Sequence, residues 1–213
     1  ALCIGIFVAL NYTFGIERQL RSHYSGVWQV ALYVLFYALP YFTVIALQKL
    51  TGQDVSYVKK RSFWVQIAFV LLLLSFDATY IVSAQLYAIC KSHYTGKDLY
   101  YVSRLCVAFN SLLAMGVPLL LYWLLWGRKN TPTFYGLTWR GFKAQPYLIM
   151  LGIMLPIIVG ASFFSQFANY YPTLKLYGIQ TLRIAPPAIG IAFYEFIYGL
   201  DFVWTEVVIR GFM

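Results

Sequence analysis

The stretch "FWVQIAFVLLLLSFDATYIVSAQLYAI", Phe63 to Ile89, decides the fold class. It carries a single formal charge, Asp77, along its whole length. A helix rises about 1.5 Å per residue, and about 20 apolar residues cross a hydrocarbon core of about 30 Å. This stretch is long enough to cross a bilayer at a tilt. Composition agrees: the 213 residues are 61% hydrophobic and 11% charged, where a soluble domain carries roughly 25% charged residues. Too little polar surface exists to coat a globule in water. With lipid as the solvent, backbone groups must bond internally, which leaves helices as the spanning elements. The expected fold is an all-α, polytopic membrane helical bundle.

Working outward from that stretch, five further apolar segments appear, making six expected spans. They run over about Ala1–Ile16, Val27–Leu47 with Pro40 inside, Leu105–Trp126 with Pro118, Tyr147–Phe167 with Pro156, and from Ala188 to the end. Mid-span prolines predict kinks, which neighbouring helices and water can satisfy. The connectors are short and polar, and none holds a soluble domain. The chain divides into a four-span region, 1–126, and a second region, 127–213. The N-terminus has neither a basic leading segment nor a small-residue cleavage site, so it is not a signal peptide. It reads as the interior of a longer protein, or as a first helix without its leading residues.

The net charge of +9 does not indicate nucleic acid. The sixteen Lys and Arg residues are scattered between apolar runs and form no basic stripe. Basic loops beside a membrane anchor to anionic headgroups and set topology. The first, third and fifth connectors hold seven (Arg18, Arg21, Lys91, Lys97, Arg104, Lys175, Arg183). The second and fourth hold eight (Lys49, Lys59, Lys60, Arg61, Arg128, Lys129, Arg140, Lys143), and Arg210 makes nine on their side. The bias places the second and fourth connectors in the cytoplasm. Cys3, Cys90 and Cys106 form no CxxC pair and read as small hydrophobes in helices. Cys90 and Cys106 flank one loop, where a disulfide requires an oxidising face.

Two loops resemble each other. "RSHYSG" at Arg21–Gly26 recurs as "KSHYTG" at Lys91–Gly96. Upstream, Asn11-Tyr-Thr-Phe with Gln19-Leu20 resembles Asp77-Ala-Thr-Tyr with Gln85-Leu86 at a fixed offset of 66. A duplication about an axis along the membrane normal would place both loops on one side. The two histidines, His23 and His93, lie in these loops and read as interfacial residues rather than a metal pair.

Ionisable groups at membrane depth cost roughly 2.5–3.5 kcal/mol each on insertion scales, so those retained need a reason. Asp77, Asn11 and Asn110 serve either as interhelical hydrogen-bonding groups or as a substrate or proton site. The sixth segment, "AIGIAFYEFIYGLDFVWTEVVIRGFM", is the most charged. Glu195 and Glu206 are eleven residues apart, so at about 100° per residue they point within about 20° of each other. Arg210 follows Glu206 at i,i+4, able to pair with it. Gly199 and Phe202 complete that stripe, while Asp201 points roughly 140° away from Glu206. Such an ion pair either seals helices together or holds a carboxylate ionised and aimed.

The stretch "TEVVIRGFM", Thr205–Met213, resembles the first motif of the CAAX protease and bacteriocin-processing (CPBP) membrane family, usually Glu-Glu-x-x-x-Arg followed by Gly and an apolar residue. Glu206, Arg210, Gly211 and Phe212 match it. The preceding "FYGLTWRGFKAQPYLIMLGIMLP", from Phe134, resembles the family's short Gly-Leu loop and long apolar span. The resemblance implies an intramembrane endopeptidase of a bacterial cytoplasmic membrane, acting on membrane-embedded or lipidated peptides. Glu206 would orient the attacking water, Arg210 would position it, and Glu195 would be an accessory acid. Thr205 stands where the family has its first Glu, so Glu206 would serve alone. The family's histidine motifs lie downstream of the first. A complete site, and any divalent metal such as zinc, would need residues beyond Met213. Two other readings stand beside the peptidase: a non-catalytic immunity or scaffold protein, and a small secondary transporter using Asp77 and Glu195 as its ion path.

Overall fold

A computed structural model describes residues 2–129, 133–136, 144–171, 173–175 and 182–208, and among them there is no β-strand. The described residues form ten α-helices: α1 Leu2–Phe14, α2 Ile16–His23, α3 Gly26–Leu50, α4 Arg61–Thr79, α5 Ile81–Cys90, α6 Gly96–Ser111, α7 Val117–Leu125, α8 Ala144–Ser162, α9 Ser165–Tyr170 and α10 Pro187–Glu206. The protein is an all-α membrane bundle.

Among the described residues, four stretches are long and apolar enough to cross a bilayer: Gly26–Leu50, Arg61–Thr79, Gly96–Leu125 and Ala144–Ser162. The other two expected spans differ for identifiable reasons. α1 covers only 13 residues, and α10, although 20 residues long, carries Glu195, Asp201 and Glu206. The Phe63–Ile89 stretch is not one straight helix. It breaks at Tyr80, whose φ of 53° is left-handed, into α4 and α5.

The prolines act unequally. Pro40 and Pro156 sit inside continuous helices. Pro118 lies in the first turn of α7, directly after a π-helical turn at Leu112–Gly116. Proline has no N–H to give the carbonyl four residues back, so the wider turn falls where the α-helical ladder is interrupted. α3 ends where Gly52, at φ 75°, turns the chain and its amide bonds the Lys49 carbonyl at 3.2 Å.

α3 packs on α4, and α5 on α6. α10 lies along α6 and the π turn. The unit formed by α6, the π turn and α7 is the most enclosed of the four spans, whereas no residue of α8 is buried. Two apolar clusters hold the bundle. Val70 and Leu73 of α4 meet Met115, Leu119, Val207 and Val208 in one. Tyr101 and Ala108 of α6 meet Leu174, Tyr194 and Ile197 in the other.

The repeated loop sequences carry repeated local structure. Ser25 and Thr95 precede α3 and α6 in matching extended conformations (φ −143°, ψ 162° and φ −137°, ψ 160°). Gly26 and Gly96 follow at φ 62° and 58°. Ser22 Oγ lies 2.9 Å from His23 Nδ1, and Ser92 Oγ lies 3.0 Å from His93 Nδ1. Each histidine also approaches the carbonyl four residues back at 3.2 Å, Gln19 in one loop and Ile89 in the other. Upstream, left-handed residues break both helices, Gly15 between α1 and α2 and Tyr80 between α4 and α5.

Candidate functional site

Polar groups inside the bundle gather where helices are interrupted. Asp77 lies just before the break at Tyr80, and Asn110 and Ser111 lie just before the π turn. The Asn110 side chain donates to both the Asp77 carbonyl and its Oδ1, each at 2.9 Å. Ser111 Oγ donates to the same Oδ1 at 2.7 Å. The Ser83 amide, in the first turn of α5, donates to Asn110 Oδ1 at 3.2 Å. Asn110 is 1% exposed, so one buried amide joins α4, α5 and α6.

α10 presents two chemically different sides. Gly190, Tyr194 and Ile197 are buried. Tyr101 Oη donates to the Gly190 carbonyl at 2.8 Å, and the Tyr194 hydroxyl lies 2.9 Å from Thr173 Oγ1. Further along, the Trp204 ring lies over Gly116 of the π turn, so closely that a Cβ there would sit 2.6 Å from it. Only glycine permits that approach.

Glu195, Gly199, Phe202 and Glu206 are all exposed, on the side of α10 that the described helices leave uncovered. The structure thus brings Glu195 and Glu206 to one face, as their spacing indicates, and leaves Asp201 partly enclosed towards the bundle. Thr205 Oγ1 donates back to the Asp201 carbonyl at 3.0 Å. Its hydroxyl is therefore engaged with its own helix, a common resting place for a threonine in mid-helix. α10 ends at Glu206, and Val207 and Val208 continue as a π turn. Arg210 lies outside the described residues, as does its expected pairing with Glu206.

No three His, Cys, Asp or Glu side chains among the described residues converge as metal ligands. Cys90 and Cys106 are free thiols, Cys106 buried. Asn11 works locally: its Oδ1 accepts the Glu17 amide at 2.9 Å across the Gly15 break. Glu17 pairs with Arg21 at 2.9 Å, and the Arg21 guanidinium stands 5.4 Å from the Tyr80 ring centroid, linking α2 to the break between α4 and α5.

Sequence reasoning singled out Asp77 and Asn110 separately but missed their partnership and its other members, Ser83 and Ser111. The readable signal was Asn110-Ser111 followed eight residues after Asn110 by Pro118, a polar pair beside a predicted helix disturbance. Comparison with protein-family models, curated proteins and solved structures finds no match for the chain.

Proposed function

We propose that the protein is an intramembrane endopeptidase of the CPBP type, working in a bacterial cytoplasmic membrane on membrane-embedded or lipidated peptides. One observation carries this reading: Glu195 and Glu206 share the uncovered face of a helix whose opposite face is packed. Carboxylates at membrane depth cost roughly 2.5–3.5 kcal/mol each on insertion scales, so a helix face that keeps two of them is suited to water and a peptide backbone.

In this mechanism Glu206 accepts a proton from a water molecule held against it. The resulting hydroxide adds to the scissile carbonyl carbon, and the carbonyl oxygen becomes an oxyanion. Collapse of that intermediate breaks the C–N bond, and the proton held by Glu206 passes to the departing amine. Arg210 positions the Glu206 carboxylate and Glu195 supplies an accessory acid along the same face. Thr205, bonded to the Asp201 carbonyl, takes no proton. The described residues do not assemble a zinc-type site.

The test is cleavage of a lipidated peptide by the protein reconstituted in liposomes. General-base catalysis contributes about 10²–10⁴-fold, so Glu206→Gln is expected to lose at least about a hundredfold in rate. An inactive wild-type protein, or a variant of unchanged rate, overturns the reading. In the first case the non-catalytic scaffold role takes its place.

A second reading, ion-coupled transport, is favoured by Asp77. A carboxylate in a transmembrane segment, beside two helix interruptions, has the surroundings of coupling-ion sites in transporters. Proton-driven uptake into proteoliposomes that Asp77→Asn abolishes would establish it. Cleavage without uptake would dismiss it.

A further inference from the structure

The connector between α3 and α4 enters the bilayer beside a cavity of about 550 Å³, within the roughly 300–1,000 Å³ range of small-ligand sites. Its mouth is polar and basic, with Tyr41, Tyr57, Lys60 and Ser62 around it. Further along α4, Phe63, Ile67 and Val70 follow one another at helical spacing with Gln66 beside them, and Ile67 and Val70 are buried. The site therefore passes from Lys60 and Ser62 to a stretch that is apolar apart from Gln66, which suits an amphiphile laid parallel to α4.

Three features set the charge of the headgroup. Lys59, Lys60 and Arg61 are consecutive at the start of α4. The N-terminus of α4 has no side-chain cap, and although the Phe63 amide turns back to the Lys60 carbonyl at 3.1 Å, the positive end of the helix dipole lies beside Lys60. No carboxylate lines the cavity. The connector's one acid, Asp54, is held within its own turn, accepting the Ser56 amide at 2.8 Å and hydroxyl at 3.0 Å. Those bonds hold its carboxyl below the usual carboxylate range, so it stays ionised without entering the site.

The aromatic surroundings fix the depth. Tyr41 stacks on Phe63 at 6.5 Å, Phe42 stacks on Trp64 at 5.7 Å, and the Tyr57 ring meets Phe63 edge-on at 5.3 Å. Trp64 Nε1 donates to the Val58 carbonyl at 2.8 Å and Tyr57 Oη to Gln48 Oε1 at 2.9 Å. Tyrosine and tryptophan with apolar bodies and bonded polar ends are characteristic of the headgroup level.

We propose that this cavity binds an anionic phospholipid, its phosphate against Lys60, Ser62 and the α4 N-terminus, its glycerol and acyl chain along Phe63, Ile67 and Val70. The positive-inside reading of the sequence puts this connector on the cytoplasmic side, where juxtamembrane basic clusters meet anionic lipid. The lipid would join α3 to α4 at the point where the connector leaves them.

Native mass spectrometry of the detergent-purified protein, titrated with phosphatidylglycerol or phosphatidylcholine, tests this directly. The wild-type protein should retain one phosphatidylglycerol at concentrations where phosphatidylcholine is lost. Basic groups near an anionic membrane surface each contribute about fivefold, so K60Q/R61Q should weaken retention at least about tenfold. K97Q, which removes one charge at the start of α6, should leave it unchanged. Equal retention of both lipids overturns the proposal, as does indifference to K60Q/R61Q. Displacement of the bound lipid by millimolar inorganic phosphate would also overturn it, by showing a site for free anion alone.

Discussion

Asp77 and Glu206 are both carboxylates of apolar helices, yet the molecule treats them in opposite ways. Asp77 is enclosed at a junction of three helices and accepts two side-chain hydrogen bonds on one oxygen. Glu206 stands exposed with Glu195 on the side of α10 away from the packed bundle. A membrane protein keeps a costly charge for architecture or for chemistry, and burial with fitted donors is the mark of the first. A carboxylate left uncovered on a helix anchored through its other face is better suited to the second. On this comparison Asp77 holds helices together, and the proposed function would have Glu206 face the substrate.

The contrast is open to breakage by substitution. The largest stability loss is expected at the junction: Asn110→Ala removes the amide that joins α4, α5 and α6, takes the side-chain acceptor from the Ser83 amide and leaves Asp77 with Ser111 as its side-chain donor. Leaving buried polar groups without partners costs about 1–3 kcal/mol each, so the melting temperature in detergent should fall clearly. No change would show the junction to be dispensable.

Next comes Gly116→Ala, which puts a methyl group against the Trp204 ring. Overpacking of this kind costs about 1–3 kcal/mol, and Trp204→Ala in the same chain should return part of the loss. Lack of coupling in that double-mutant cycle would deny that α10 is seated on the π turn. Gly26→Ala and Gly96→Ala should each cost about 1–2 kcal/mol, because both residues hold positive φ. Unequal costs would show that the two loops, alike in backbone, differ in their supports. The smallest effect is expected of Thr205→Val, within about 0.5 kcal/mol, since it removes only a back-bond to the Asp201 carbonyl.

Much of the architecture was legible in the chain because lipid leaves few options: apolar run length and charge scarcity are enough to require helices. Charge placement in α10 was legible too, because helical geometry alone puts Glu195 and Glu206 on one face. The helix breaks were harder to read. Tyr80 gives no sign of a left-handed conformation, which tyrosine seldom adopts, and the left-handed residue upstream is Gly15, one place past the Phe14 that the offset of 66 aligns with it. The π turn was signalled only by Pro118, which by itself predicts a kink of unspecified kind. The Asp77–Asn110 pairing joins residues 33 positions apart and depends on how α4 packs against α6, which periodicity within either helix does not encode.

The most direct test sets Glu206→Gln beside Asp77→Asn in one preparation, measuring the cleavage rate of a liposome-presented lipidated peptide along with each variant's melting temperature. The account predicts that Glu206→Gln loses at least about a hundredfold in rate and melts like the wild type. Asp77→Asn should melt earlier and cleave at close to the wild-type rate. A Glu206→Gln protein that still cleaves, or an Asp77→Asn protein that folds normally and does not, would contradict it.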